Sequence, residues 1–193
     1  MPYPARIDPD EILSEARRLL EEGGVEAVSM RELGRRLGVK APSLYFHVAS
    51  REALVGRLVD QGLDELAAIL AMAAPESTPL RQRLHAMADA YELFAYANRQ
   101  LFALLFAPRP PETRAGGADD DESAGVPMPP MLESFRDAIP ENTVLAVSQA
   151  VLSMIHGYTA LVLADQFTLG SDPAQSIHFA IDLMVDGIEG RRA

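Results

Sequence analysis

No stretch of this chain alternates apolar and polar residues with the two-residue period of a strand, whereas apolar residues recur every three or four positions almost throughout. That regularity restricts the chain to packed helices. Ala, Leu, Arg and Glu dominate, aromatic residues are only 6%, and 48% hydrophobic residues over 193 positions suffice for a real core. The expected fold class is all-α. The sequence has no cysteine, which excludes disulfides and thiolate metal sites and fits a reducing compartment. "MPYPARIDPDEI" at the N-terminus lacks the pattern of a signal peptide, so a cytoplasmic location is expected.

Helix boundaries are readable from capping chemistry. Asp8-Pro9-Asp10-Glu11 opens a first helix, which stops at Gly23-Gly24. Ser29-Met30-Arg31-Glu32 has the capping-box form S-x-x-E and begins a second, Met30 to Leu37. Gly38 suits a left-handed turn, Val39 plugs the corner, and a third helix starts near Pro42. Ser50 caps a fourth, Arg51 to about Met72. Further helices are expected from Thr78-Pro79 to Ala97, from Asn98 through Phe106, from Met131 to Ala138, from Glu141 to Phe167, and from Ser171 to Gly190. Residues 108–130, rich in Pro, Gly and Asp, are expected to form a mobile loop. The domains expected are 1–57 and 58–193. Asn142 to Ala164 carries no Asp, Glu, Lys or Arg and reaches spanning length, but Ser148, Gln149, Ser153, His156 and Tyr158 interrupt it and no basic cluster flanks it. It reads as a buried helix, with no membrane partner.

Two short helices joined by a tight glycine turn make a helix-turn-helix, whose second helix fits the DNA major groove. Residues 27–58 hold six basic residues against two acidic, a local charge of +4, so the rest of this −11 chain carries −15. A basic end on an acidic body suits a protein that meets a polyanion at one place. Leu44 and Val48 point back toward Leu33 and Leu37, leaving Ala41, Pro42, Ser43, Tyr45, Phe46 and His47 outward. Tyr45 and His47 can donate hydrogen bonds to phosphate, and Lys40 and Arg51 add charge at the edges. Phe46 meets a thymine methyl or a sugar, or packs on the fourth helix.

The run R-E-L-G-x-x-L-G-V, then S-L-Y-x-H, then S-R-E-A-L resembles the TetR family of transcriptional regulators over Ile12 to Leu58. The resemblance implies an N-terminal three-helix helix-turn-helix DNA-binding domain and a C-terminal helical ligand-binding and dimerisation domain. It places Ala41, Pro42 and Ser43 nearest base edges, has Tyr45, His47 and Arg51 hold the backbone, and brings Ser29 and Arg31 to phosphate. Members of the family usually carry Lys where Arg51 stands and a small residue, commonly Ala, where Gly34 stands.

Beyond this head, His85, Tyr91, Phe94, Phe102, Phe106, Met154 and Tyr158 are candidates to line an apolar effector pocket, with ordinary core packing as the alternative. His178 and Asp182 lie one helical turn apart, but no third ligand is evident, so no metal and no cofactor is expected. Ala146, Ala150, Ser153, Gly157, Ala160 and Ala164 form a stripe of small residues, and Ile177, Ile181, Met184 and Ile188 an apolar seam. In the resembled family the last two helices of each subunit pair into a four-helix dimer interface. The resulting expectation is a homodimeric repressor of a pseudo-palindromic operator, released by a small-molecule effector, losing about 10³–10⁵ in affinity from 50 to 200 mM salt if it neutralises about 6–10 phosphates. A helical enzyme and a protein-interaction module are the rival readings, the first weakened by the lack of any nucleophile–base pairing or phosphate loop.

Overall fold

The computed structural model describes residues 8–75, 77–108, 128–167 and 173–190. Among them are nine α-helices and no strand: α1 Pro9–Gly23, α2 Met30–Arg36, α3 Ala41–Leu44, α4 Arg51–Ala73, α5 Leu80–Ala97, α6 Arg99–Leu105, α7 Met128–Phe135, α8 Glu141–Leu163 and α9 Pro173–Glu189. A single 3₁₀ turn, Val25–Ala27, links α1 to α2. Of the expected loop, residues 109–127 lie outside the described residues, and 128–130 already belong to α7.

The starts and stops follow local chemistry. Asp8 accepts the Asp10 amide at 3.0 Å, Gly24 ends α1 at φ 70°, and Gly38 after α2 has the positive φ (69°) expected of it. α8 stops at Leu163, four residues short of expectation. There the Gln166 amide reaches back to the Leu161 carbonyl and the Asp165 amide to that of Val162, both at 3.0 Å, with Asp165 at φ 53°. Aspartate is one of the few side chains that tolerates this conformation, so the helix closes without the glycine that usually marks such an end.

The chain divides into two compact units, and the boundary lies inside α4, between Leu63 and Asp64. The first unit holds α1 to α3, the start of α4, and α6, which returns from later in the sequence. Ile12, Ala16, Leu19, Leu20, Leu33, Leu44, Leu54 and Leu58 form its core. α6 is seated by charge and by shape. Glu21 accepts the amides of Gln100 (3.2 Å) and Leu101 (3.1 Å) at its start, and Asn98 accepts from Arg17 at 2.8 Å. Asn98 stands at the N-cap of α6 but its side chain makes no capping bond; a carboxylate from α1 does that work, as the positive end of a helix favours. At Gly62 an added Cβ would lie 2.7 Å from a methyl of Leu101, so the missing side chain is what lets α6 sit against α4.

In the second unit α5 packs on α7, α8 and α9. Tyr91, Phe94, Met131, Phe135, Val151, Ile155, Ile177, Ile181 and Val185 are buried there. Arg81 of α5 donates to Asp182 at 2.9 Å and Asp186 at 2.6 Å on α9. α8 is the one described helix long and apolar enough to span a membrane, yet only 28% of its most apolar window is buried. The expectation of a buried helix is thus corrected: α8 buries Ser148, Val151, Leu152, Ile155 and Thr159 and leaves its other faces open.

Candidate nucleic-acid interface

The capping box before α2 forms only in part. Ser29 Oγ accepts the Glu32 amide at 3.2 Å, but the Glu32 carboxylate does not return to Ser29. It accepts instead from Arg35 at 2.8 and 2.6 Å and from Arg36 at 3.2 Å, because charged donors outcompete a backbone amide. Arg36 also binds Glu15 and Glu22, tying α2 to α1. Arg35 and Arg36 together hold the Glu32 carboxyl well down, from 4.5 to about 2. A carboxyl depressed on folding contributes stability above its unfolded value, and that contribution is lost as pH falls from 4.5 toward 2. The melting temperature is expected to decline below about pH 4.5, and Glu32→Gln to flatten that decline while lowering the neutral-pH value, as a calorimetric pH series would measure.

α3 is a single regular turn, continued by bonds from the His47 and Val48 amides to the Leu44 carbonyl at 2.9 and 3.0 Å. Leu44 and Val48 are buried beneath it. Pro42, Tyr45 and Phe46 are exposed, and Ala41, Ser43 and His47 are half-buried. Phe46 is 89% exposed, which removes the alternative that it packs on α4. Tyr45, at 52%, stands free as well. α2 and α3 approach closely through Gly34, where an added Cβ would lie 2.9 Å from the Val39 carbonyl oxygen and 3.1 Å from the Ala41 nitrogen.

The cations near this face differ in their bonding. Arg31 and Lys40 are exposed and make no ion pair among the described residues. Arg35 and Arg36 are occupied by glutamates. Arg51 is turned inward, its Nε donating to the Val28 carbonyl at 2.7 Å and its Nη2 to that of Val25 at 2.6 Å. Hydrogen bonds to a charged group contribute about 1.5–3 kcal/mol each, enough to hold that orientation against solvent. Arg51 is thus not the outward cation expected from its position.

The residues expected to line an effector pocket are not brought together. Phe102 and Phe106, rings 5.1 Å apart, pack on one another in the first unit. In the second, the Tyr91 hydroxyl lies 2.9 Å from Nδ1 of His156, and burial pushes the tyrosine up and the histidine down, so both stay neutral. Phe94 is buried, Met154 is half-buried, and Tyr158 meets Phe167 at a tilt, ring centroids 4.9 Å apart. His85 lies against His178 with parallel rings 4.3 Å apart. Its Nε2 is 2.9 Å from Asp182, while His178 Nε2 is 2.7 Å from Asp89. His156, His178 and Asp182 therefore serve three different partners, and among the described residues no three such groups converge as metal ligands. His156 as a partner of Tyr91 was not foreseen, since nothing in the spacing of α5 and α8 sets their register.

Residues 12–58 match the family model of bacterial regulatory proteins of the tetR family, and residues 84–184 match that of the tetracyclin repressor-like C-terminal domain. The chain belongs to the tetR family. It is 25% identical over 178 residues to the uncharacterized HTH-type transcriptional regulator YobS of Bacillus subtilis, covering 92% of this chain and 90% of that one. It is 35% identical over 54 residues to the class D tetracycline repressor protein of Escherichia coli, covering 28% and 25%. A solved structure of a protein of unknown function from Rhodococcus sp. RHA1 superposes with a TM-score of 0.77 at 27% identity, over 96% of this chain and 98% of that one. A TetR variant from Acinetobacter baumannii AYE in complex with minocycline does so at 0.65 and 20% identity, over 97% and 99%. This tetR-family protein is a transcriptional regulator with an N-terminal helix-turn-helix DNA-binding domain and a C-terminal domain of the ligand-binding kind.

The face this TetR regulator was expected to pair through needs one correction. Ala146, Ala150, Ser153 and Ala164 are exposed along α8, and Gly157 and Ala160 are half-buried. On α9, however, Ile177 and Ile181 are buried against the rest of the unit, at 3% and 0% exposure. The outward apolar residues are Phe179 and Leu183, at 63% and 58%. Met184 and Ile188 lie between, lining an open apolar groove of about 760 Å³ with Ala150 and Val147 of α8.

Proposed function

We propose that this regulator is a cytoplasmic homodimeric repressor that holds a pseudo-palindromic operator and is released by a small-molecule effector. The observation that carries the reading is the exposed set at α3, Pro42, Tyr45 and Phe46, beside the unpaired Arg31 and Lys40. A Phe at 89% exposure has no packing role within the chain, and a duplex groove would cover it. Ala41, Pro42, Ser43 and Phe46 read base edges; Ser29, Arg31, Lys40, Tyr45 and His47 hold phosphates. Two such heads on a two-fold axis meet successive major grooves about 34–36 Å apart.

The dimer is supported by the open stripe of α8 and by Phe179 and Leu183 of α9, an apolar face larger than scattered surface residues explain. The effector class is supported by the fold shared with a TetR that holds minocycline. Tyr91 and His156 form a neutral polar pair in the second unit, the kind of group that would meet the one polar end of an amphipathic ligand. An effector that favours one spacing of the heads lowers operator affinity, and the operator lowers effector affinity equally.

With Arg31 and Lys40 as the phosphate-binding cations of each head, the dimer releases counterions from about four phosphates, fewer than the charge of residues 27–58 suggests. Affinity is expected to fall by about 10² between 50 and 200 mM salt. Selection from a random-sequence duplex pool, followed by fluorescence anisotropy titration across that range, tests both function and slope. Failure to enrich any duplex in dilute buffer would reject the regulator reading, and Tyr45→Ala is the control expected to weaken binding.

A further inference from the structure

Arg51 stands where the family pattern puts a phosphate-binding cation, yet its guanidinium closes a different gap. Val28 is the residue before the N-cap of α2, and Arg51 is the first residue of α4. Bonds of 2.7 Å to the Val28 carbonyl and 2.6 Å to the Val25 carbonyl therefore join the two ends of residues 29–50, the segment that contains both helices of the motif. Glu26 stays 3.9 Å away, on a side chain 92% exposed, so the carbonyls hold the charge. A cation at the first position of a helix faces the positive end of its dipole, and two carbonyl oxygens offset that penalty here.

We propose that Arg51 is a positioning residue, a staple across the base of the helix-turn-helix that fixes how α2 and α3 are presented to a duplex and takes no phosphate itself. The inference rests on the DNA-binding reading of the head. Arginine suits the task because Nε and Nη2 lie on one edge of a rigid planar group and address two fixed oxygens together; lysine offers one point charge. Backbone contacts tolerate a small tilt of the wedge, whereas base-edge hydrogen bonds do not. Loosening the staple therefore costs sequence discrimination before it costs general attraction to DNA.

The test uses the full chain, the duplex that the wild-type protein enriches from a random pool, and a shuffled duplex of equal length. Arg51→Gln, Arg51→Lys and, for comparison, Arg31→Gln are titrated against both across a salt series, at a temperature where every variant is folded. Both Arg51 variants are expected to lower the ratio of specific to shuffled affinity roughly tenfold, the size of one lost base contact. Their salt slope stays within about 0.3 of wild type, and amide exchange over residues 25–50 accelerates. Arg31→Gln instead lowers the slope by about 1.8, two phosphates per dimer. A slope reduced by about 1.8 in Arg51→Gln, or a lysine variant that matches wild type in ratio and exchange, overturns the staple. If the wild type enriches no duplex, the DNA-binding reading has failed separately; the exchange measurement still judges Arg51, and unchanged protection overturns its clamping role.

Discussion

Leu183→Glu is expected to halve the mass of the particle in solution, from twice 21.0 kDa to a single chain, and to weaken operator binding by about 10²–10⁴. Leu183 is 58% exposed on α9, beside Phe179, and no group within the unit covers it. In a symmetric pairing through this face each subunit places its own Leu183 in the joint, so one substitution introduces two carboxylates. Burying an unpaired charge costs several kcal/mol even after relaxation, comparable to what a modest helix-pairing face supplies. Two linked heads bind as one event with a high effective concentration, and separated heads lose it. Sedimentation equilibrium and anisotropy on the same sample measure both effects. A variant that keeps the dimer mass would place the joint elsewhere.

Gly34→Val is expected to cost the head more than about 3 kcal/mol and abolish duplex binding at 25 °C, with Gly34→Ala costing about 1–3 kcal/mol. The neighbours of the missing Cβ are backbone atoms, the Val39 carbonyl oxygen at 2.9 Å and the Ala41 nitrogen at 3.1 Å, which cannot rotate away. The Val39 amide also bonds the Gly34 carbonyl at 2.8 Å, so any displacement opens the turn between the two helices. Valine adds branched bulk to a helix of only seven residues. Differential scanning calorimetry of the full chain, with the lower transition assigned by amide exchange, gives the magnitude. At Gly62 the same construction meets only the methyl ends of Leu101 and Leu105, so Gly62→Ala is expected to be milder.

The head was largely legible because its elements are short and each end carries a chemical marker: Asp8, Gly24, Ser29, Gly38, Pro42 and Ser50 all stand at the boundaries they suggested. Outward placement of Tyr45 and Phe46 followed from the inward pull of Leu44 and Val48. What could not be read was the direction of long side chains. Arg35, Arg36 and Arg51 count equally as charge in a sequence, and only the folded chain distinguishes those bound to glutamates or carbonyls from Arg31 and Lys40. α9 failed for another reason: it is apolar on two faces, and periodicity separates Ile177, Ile181 and Val185 from Phe179 and Leu183 without saying which set turns in. Nothing in the residues of α6 itself announces that Glu21 and Gly62, far earlier in the chain, draw it into the first unit. The end of α8 lacked a glycine to announce it.

That return of α6 sets an order of events during synthesis. A ribosome that has released residues 1–63 has exposed every side chain proposed for DNA, but Leu101 and Leu105, which sit at Gly62, are still to come. Glu21 gains the Gln100 and Leu101 amides, and Arg17 the Asn98 side chain, only when Asn98 to Leu101 emerge. A nascent fragment ending before α6 thus leaves the apolar seat at Gly62 open.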